Sequence, residues 1–271
     1  MKSMVAYSIP LVLAGAIGTI ALQLDKIVVS SMCSPETFAI YSTGAMEIPL
    51  IGIVTGSISN VMLVDFRKAF AANELSEALR LYRMVPAKTT LFLFPVMVYF
   101  MLAAKPAMIV LFSGKYAASA TAFMLYLLVI PSRTLFLGGM AAVGKNKIIL
   151  RNSAIGLLLN LVFSIAFVRI FGYVGAILAT IAVLGLWNVP TVFYEISRSL
   201  HTSISAVYPW KTAGLHLLMA LAAAVPTAIV LGLLGGAPPV VQLAVSGAVF
   251  TAIYVLIGTL SGRIDVKRSL M

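Results

Sequence analysis

The sequence predicts an all-α polytopic membrane protein, a bundle of eight transmembrane helices with its N and C termini cytoplasmic. Three observations carry this. Apolar residues make up 61% of the 271 residues and charged ones only 10%, where soluble domains carry about a quarter charged. The apolar residues fall into eight runs, each close to the roughly 20 residues a helix needs to cross a bilayer. The connections between runs alternate between basic and nearly uncharged, as cytoplasmic and outer loops do.

The first run, 5–31, follows Met1-Lys2 and contains Pro10. It is too long for a secretion signal and lacks a small-x-small cleavage site, so it reads as a retained span. CSPET leads into the second run, 38–64. The longest connection, 65–88, reads DFRKAFAANELSEALRLYRMVPAK. It predicts a cytoplasmic loop holding an amphipathic helix that lies at the interface. Asn73 would cap this helix, with Leu75, Leu79 and Tyr82 on its apolar face and Glu77 and Arg80 on its polar side. Runs at 86–105 and 117–142 follow, joined through SGKY, then a basic turn with Lys145, Lys147 and Arg151. Runs 151–171 and 173–194 flank FGY, and 213–234 and 239–260 flank GGAPP. The basic set of connections and ends holds 14 of the 19 lysines and arginines. No soluble domain is left over, so residues 1–271 read as a single bundle in the cell membrane.

The net charge of +11 is thereby explained by topology, with a contribution from anionic membrane lipids. No basic face remains for nucleic acid. One cysteine, Cys33, excludes a disulfide framework, and two histidines, His201 and His216, are too few and too far apart for a metal centre. No metal ligand, catalytic residue or cofactor is expected. A lipid-linked glycosyltransferase would want outer-loop carboxylates, and the outer loops offer only Glu36. No Ser/His/Asp set, phosphate-cradling glycine loop or zinc-protease helix is present. An ion channel would need a filter or a ring of charges. A carrier with a polar cavity is what remains.

Four charges fall inside the runs: Asp25, Lys26, Glu47 and Arg133. A charge in hydrocarbon costs at least about 2.5 kcal/mol, so such residues face a bundle interior or wet cavity. At about 1.5 Å per residue, Asp25 lies roughly 12 Å and Glu47 roughly 15 Å below the outer face, with Arg133 about 18 Å above the cytoplasmic one. The three levels agree. Glu47 and Arg133 each sit two residues from a proline, Pro49 and Pro131, which permits a bend. Arg133, Lys26, Asp25 and Glu47 are therefore the substrate-binding candidates, with Gln23, Asn60, Asn160 and Asn188 as cavity lining. Other readings stay open. Asp25-Lys26 could sit at the outer interface with Lys26 snorkelling. Glu47 and Arg133 could be a structural pair, and the amides could serve as interhelical hydrogen bonds.

The stretch LDKIVVSSMCSPETFAIYSTGAMEIPLIGIVTGSIS (24–59) resembles the start of the C-terminal half of polysaccharide and O-antigen-type flippases. These belong to the multidrug/oligosaccharidyl-lipid/polysaccharide exporter superfamily. Tyr41-Ser42-Thr43-Gly44, Ile48-Pro49, IVLFSGKYAASATAF (109–123), Gly144-Lys145 and FGYVGAILAT (171–180) are similar to family motifs in order and spacing. The resemblance runs from about residue 4 to 200. It implies one lobe of a two-lobe fold, completed by a separate N-terminal-half partner, by a second copy in a homodimer, or by a longer chain of which this is a fragment. It implies movement of lipid-linked oligosaccharide across the membrane by alternating access. Arg133 and Lys26 would attract the anionic headgroup. Asp25 and Glu47 would hold those cations or exchange H⁺ or Na⁺. A multidrug or cation exporter of the same superfamily, and a non-transporting scaffold of a glycan-assembly complex, are the alternatives.

Overall fold

A computed structural model describes residues 2–262. Eight helical stretches are long and apolar enough to cross a membrane. The first is α1 (Lys2–Met32); the second is divided into α2 (Pro35–Gly44) and α3 (Pro49–Ala71). The third is α4 (Leu75–Leu102), followed by a short α5 (Ala104–Phe112). The fourth is divided into α6 (Ser119–Tyr126), α7 (Ile130–Arg133) and α8 (Leu137–Ala142). The fifth is α9 (Asn146–Phe171). The sixth is α10 (Tyr173–Val183) and α11 (Val189–Ser199), joined by a π-helical turn at Leu184–Asn188. A single turn, α12 (Ile204–Val207), precedes α13 (Trp210–Leu233) and α14 (Pro239–Leu260). Among the described residues there is no strand. The chain is an all-helical, multi-pass membrane protein with the predicted number and order of spans.

The helices bury two apolar clusters. The larger centres on α4 and α13, with Phe66, Tyr82, Phe136 and Ile196 fully enclosed. The smaller joins α1, α2, α6, α9 and α10 through Val29, Tyr41, Ala122 and Ile177. The three divided spans run from one cluster to the other. Large apolar side chains such as Leu186, Leu233 and Leu260 stay exposed on the outside, as a surface that meets acyl chains requires.

The segment 65–88 departs from expectation. It is not a loop with its own interfacial helix. α3 continues to Ala71 and α4 begins at Leu75, leaving a turn of three residues. Asn73 does not cap α4. It takes the left-handed conformation of that turn, φ 60°, which asparagine tolerates better than most residues. The apolar stripe is real, but Ala78, Leu81, Tyr82 and Val85 bury it against the bundle, not against lipid headgroups. Pro86 does not end the helix either. Thr89 Oγ1 donates to Val85 O (2.9 Å) and Thr90 Oγ1 to Pro86 O (2.8 Å). Both are bonds back to carbonyls of the same helix, one turn earlier.

Candidate functional site

Each divided span is interrupted for a local reason. In the second, Pro49 opens α3 and Gly44 closes α2. A Cβ on Gly44 would stand 2.5 Å from Ser119 O and 2.6 Å from Ala122 Cβ, so α2 reaches α6 only because the side chain is missing. In the fourth, Pro131 lies in α7 and the chain leaves the helix after Arg133. The backbone freed there is met by side chains. Thr134 O accepts from Thr89 Oγ1 (3.3 Å), and Thr134 Oγ1 pairs with Tyr208 Oη (2.9 Å). In the sixth, the π-helical turn precedes Pro190.

A cavity of about 270 Å³ opens where α1 and α9 meet the interrupted fourth and sixth spans. Asp25, Ser132, Arg133, Asn152, Asn160, Thr180 and Asn188 supply its polar lining. A smaller pocket beside it is lined by Glu47, Tyr126 and Arg133. Arg133 and Tyr126 belong to both walls.

Asp25 is 7% exposed. Ser164 Oγ donates to its Oδ1 (3.1 Å) and Thr180 Oγ1 to its Oδ2 (2.5 Å). Asn160 Nδ2 in turn donates to Thr180 Oγ1 (3.1 Å). Among the described residues no cation forms an ion pair with Asp25. A buried carboxylate met by neutral donors keeps its charge uncompensated. It is suited to taking up a proton or a small cation.

Glu47 and Arg133 form the other ionic element. Arg133 Nε lies 2.7 Å from Glu47 Oε1, with the side chains 30% and 39% exposed respectively. The pair ties the interruption of the second span to that of the fourth, through Nε, one of a guanidinium's five N–H donors.

Lys26 is half-buried and lines neither cavity. It follows Asp25 by one residue, about 100° round the helix. Gln23 and Asn60 are exposed and also line neither. Asn160 and Asn188 do line the larger one. The structure adds Ser164, Thr180 and Asn152, which sequence reasoning passed over. A signal for the stripe existed: Asn152, Gly156, Asn160 and Ser164 recur every four residues along α9 and are all buried, the spacing of one helix face. It also adds Glu195 on α11, whose Oε2 lies 3.3 Å from Lys145 Nζ, with side chains 8% and 29% exposed. Val192 and Ile149 line the cavity one turn nearer its centre on each side. The Lys145–Glu195 pair ties the start of α9 to α11.

The family model described as "Polysaccharide biosynthesis protein" matches residues 1–121, which include Asp25 and Glu47. No curated protein matches the chain. A solved structure of a MOP superfamily transporter from Pyrococcus furiosus is similar, at 18% identity and a TM-score of 0.51. That structure is described through a binding pocket of reverse polarity that suggests a different function. The similarity covers 93% of this chain and 62% of that one. The shared fold is thus that of about three fifths of a MOP superfamily transporter.

Proposed function

We propose that the chain is one lobe of a flippase that moves lipid-linked oligosaccharide across the cell membrane by alternating access. The observation that carries this reading is the shared cavity: Arg133, at the interruption of the fourth span, and Asp25, on the unbroken α1, both line it. Discontinuous spans with polar groups between them are the usual substrate and ion sites of carriers. The similarity to the polysaccharide biosynthesis family supports a glycan-linked cargo.

In this reading the Arg133 guanidinium holds the phosphate or pyrophosphate headgroup, and Lys26, outside both cavities, adds only a longer-range attraction. An arginine fork engages two phosphate oxygens at once. Glu47 holds Arg133 in place and releases it to the ligand. Asp25 exchanges H⁺ or Na⁺ to drive the cycle. The basic loops lie in the cytoplasm with both termini, as the charge bias requires. A second lobe completes the path: a second copy of this chain, a separate N-terminal-half partner, or the rest of a longer chain of which this is a part. Crosslinking in membranes separates the first two arrangements, and a strict monomer overturns both.

The test is complementation of a flippase-deficient strain, followed by transfer of labelled lipid-linked oligosaccharide in vesicles. Arg133→Ala and Glu47→Gln abolish complementation while membrane expression stays intact. Full activity in both variants removes the site. The carboxylate of Asp25 in the cavity also suits a cationic drug as cargo. Export of such a compound with no movement of lipid would favour that second reading. Neither activity would leave the non-transporting scaffold.

A further inference from the structure

The mechanism above uses Arg133 and Asp25 and leaves the amides between them without a task. Asn152 on α9 and Asn188 in the π-helical turn both line the cavity. Asn152 Nδ2 donates to Asn188 Oδ1 at 3.1 Å. That single bond occupies one donor and one acceptor of two primary amides, which together offer four donors and four lone-pair positions. Asn152 Oδ1 is buried and has no hydrogen-bond partner, and Asn152 as a whole is 9% exposed. A buried acceptor without a donor is costly, and most native proteins avoid one.

The surroundings hold the two amides in position. Trp187 Nε1 donates to Asn152 O (3.2 Å), so the π-helical turn is pinned to α9 from the residue next to Asn188. π-Helical turns inside helices are rare and concentrate at functional sites. Gly156 leaves space against them. A Cβ there would stand 3.4 Å from Asn188 Oδ1 and 3.8 Å from the Trp187 ring. No charged side chain takes part in this cluster.

We infer that Asn152 and Asn188 form a neutral subsite for the vicinal hydroxyls of a sugar, beside the Arg133 position in the same cavity. The chemistry selects this class. A hydroxyl both donates and accepts, so one sugar O–H donates to Asn152 Oδ1 while its neighbour accepts from Asn188 Nδ2. A phosphate offers acceptors only and cannot satisfy Asn152 Oδ1. An alkyl or isoprenoid chain satisfies neither amide. The bond between the two asparagines opens on binding, and each amide turns its edge toward the cavity.

This rests on the reading of the cavity as a site for a glycosylated lipid phosphate. The experiment uses the full chain in nanodiscs and three probes: geranyl phosphate, geranyl-phosphoryl-glucose and methyl β-glucoside. The wild-type protein binds geranyl-phosphoryl-glucose about tenfold more tightly than geranyl phosphate, the balance of two hydrogen bonds made, one opened between the asparagines and a buried acceptor satisfied. Asn152→Leu and Asn188→Leu erase that ratio and leave geranyl phosphate binding unchanged. Gly156→Ala, which keeps both amides and adds a methyl beside Asn188, lowers the ratio and covers the case in which the leucine variants fail to fold. A wild type with no preference for the glycosylated probe overturns the subsite, as does a preference that survives all three substitutions. Geranyl phosphate binding without any sugar preference removes the subsite and leaves the flippase reading standing. Binding of methyl β-glucoside that Asn152→Leu abolishes, with no binding of either lipid phosphate, keeps the subsite and removes the flippase reading.

Discussion

Asp25 and the Glu47–Arg133 pair border one cavity system and answer the same problem in opposite ways. Asp25 sits on an unbroken helix and is met by hydroxyls from α9 and α10. Its charge is hydrogen-bonded but not neutralised. Glu47 and Arg133 sit at the ends of interrupted helices and neutralise each other across the gap. In the proposed function the first site changes state by gaining a cation or proton. The second, in the same reading, is a latch that exchanges one anion for another. A carboxylate on a continuous helix beside a guanidinium at a helix end would, in that reading, divide the labour between ion and headgroup.

The largest effect comes from separating charge from connection in the latch. Arg133→Ala removes both and abolishes complementation. The double exchange Glu47→Arg with Arg133→Glu restores the ion pair but moves the cation to the second span. We expect the exchanged protein to reach the membrane at wild-type levels and still fail in transport. If it transports normally, Arg133 serves only to hold two helices together, and the contrast with Asp25 collapses.

Asp25→Asn comes next. The amide is nearly isosteric, and serine and threonine hydroxyls can reverse their donor and acceptor roles to meet it. The fold is therefore kept. The exchangeable charge is lost, and transport driven by an H⁺ or Na⁺ gradient falls at least about tenfold, about 1.4 kcal/mol of coupling. The measurement is initial uptake of labelled cargo into vesicles with and without each gradient. Equal stimulation by the gradient in Asp25→Asn and wild type would show that coupling resides elsewhere.

The third test concerns the Lys145–Glu195 pair. Lys145→Met leaves Glu195 buried without its cation, which costs upward of about 1–3 kcal/mol because the stranded group is charged. Lys145→Met with Glu195→Gln recovers most of that, because no charge is left behind. The same cycle on the more exposed Glu47–Arg133 pair gives a smaller coupling, since water screens it. Thermal unfolding of the purified variants in detergent reads both cycles. Equal couplings would contradict the ordering by burial.

Much of this architecture could be read from residues alone. Backbone groups in lipid must be satisfied within a helix, so hydropathy and loop charge report the spans directly. Counting residues put Asp25, Glu47 and Arg133 near one level, and the three line two adjoining cavities. What the chain did not disclose was where helices end. The stripe at Leu75, Leu79 and Tyr82 looks the same whether it lies on a membrane surface or prolongs α4 along a neighbour. Burial of Ala78 and Val85 comes from tertiary partners that periodicity cannot name. The four-residue stripe of Asn152, Gly156, Asn160 and Ser164 was present in plain view. Its meaning depends on Asp25 and Thr180 arriving from α1 and α10, far away in the chain. The pairing of Lys145 with Glu195 is equally remote.

The smallest expected effect tests whether the latch is placed by packing. Gly44 and Gly52 flank Glu47 on either side of the interruption. A methyl on Gly44 meets the backbone oxygen of Ser119 at 2.5 Å, and a backbone atom cannot turn aside. Gly44→Ala therefore pushes α2 off α6, at a cost of about 1–3 kcal/mol as overpacking. A methyl on Gly52 meets nothing within 4 Å, and alanine is favoured over glycine in a helix interior by about 1 kcal/mol. Gly52→Ala is thus neutral or stabilising. The two substitutions make the same chemical change eight residues apart, so their difference isolates the contact of α2 with α6. The matching functional expectation is that Gly44→Ala weakens the Glu47–Arg133 coupling and leaves gradient stimulation through Asp25 untouched. Equal loss of both would mean that latch and carboxylate move as one body, and the contrast drawn between them would no longer describe the molecule.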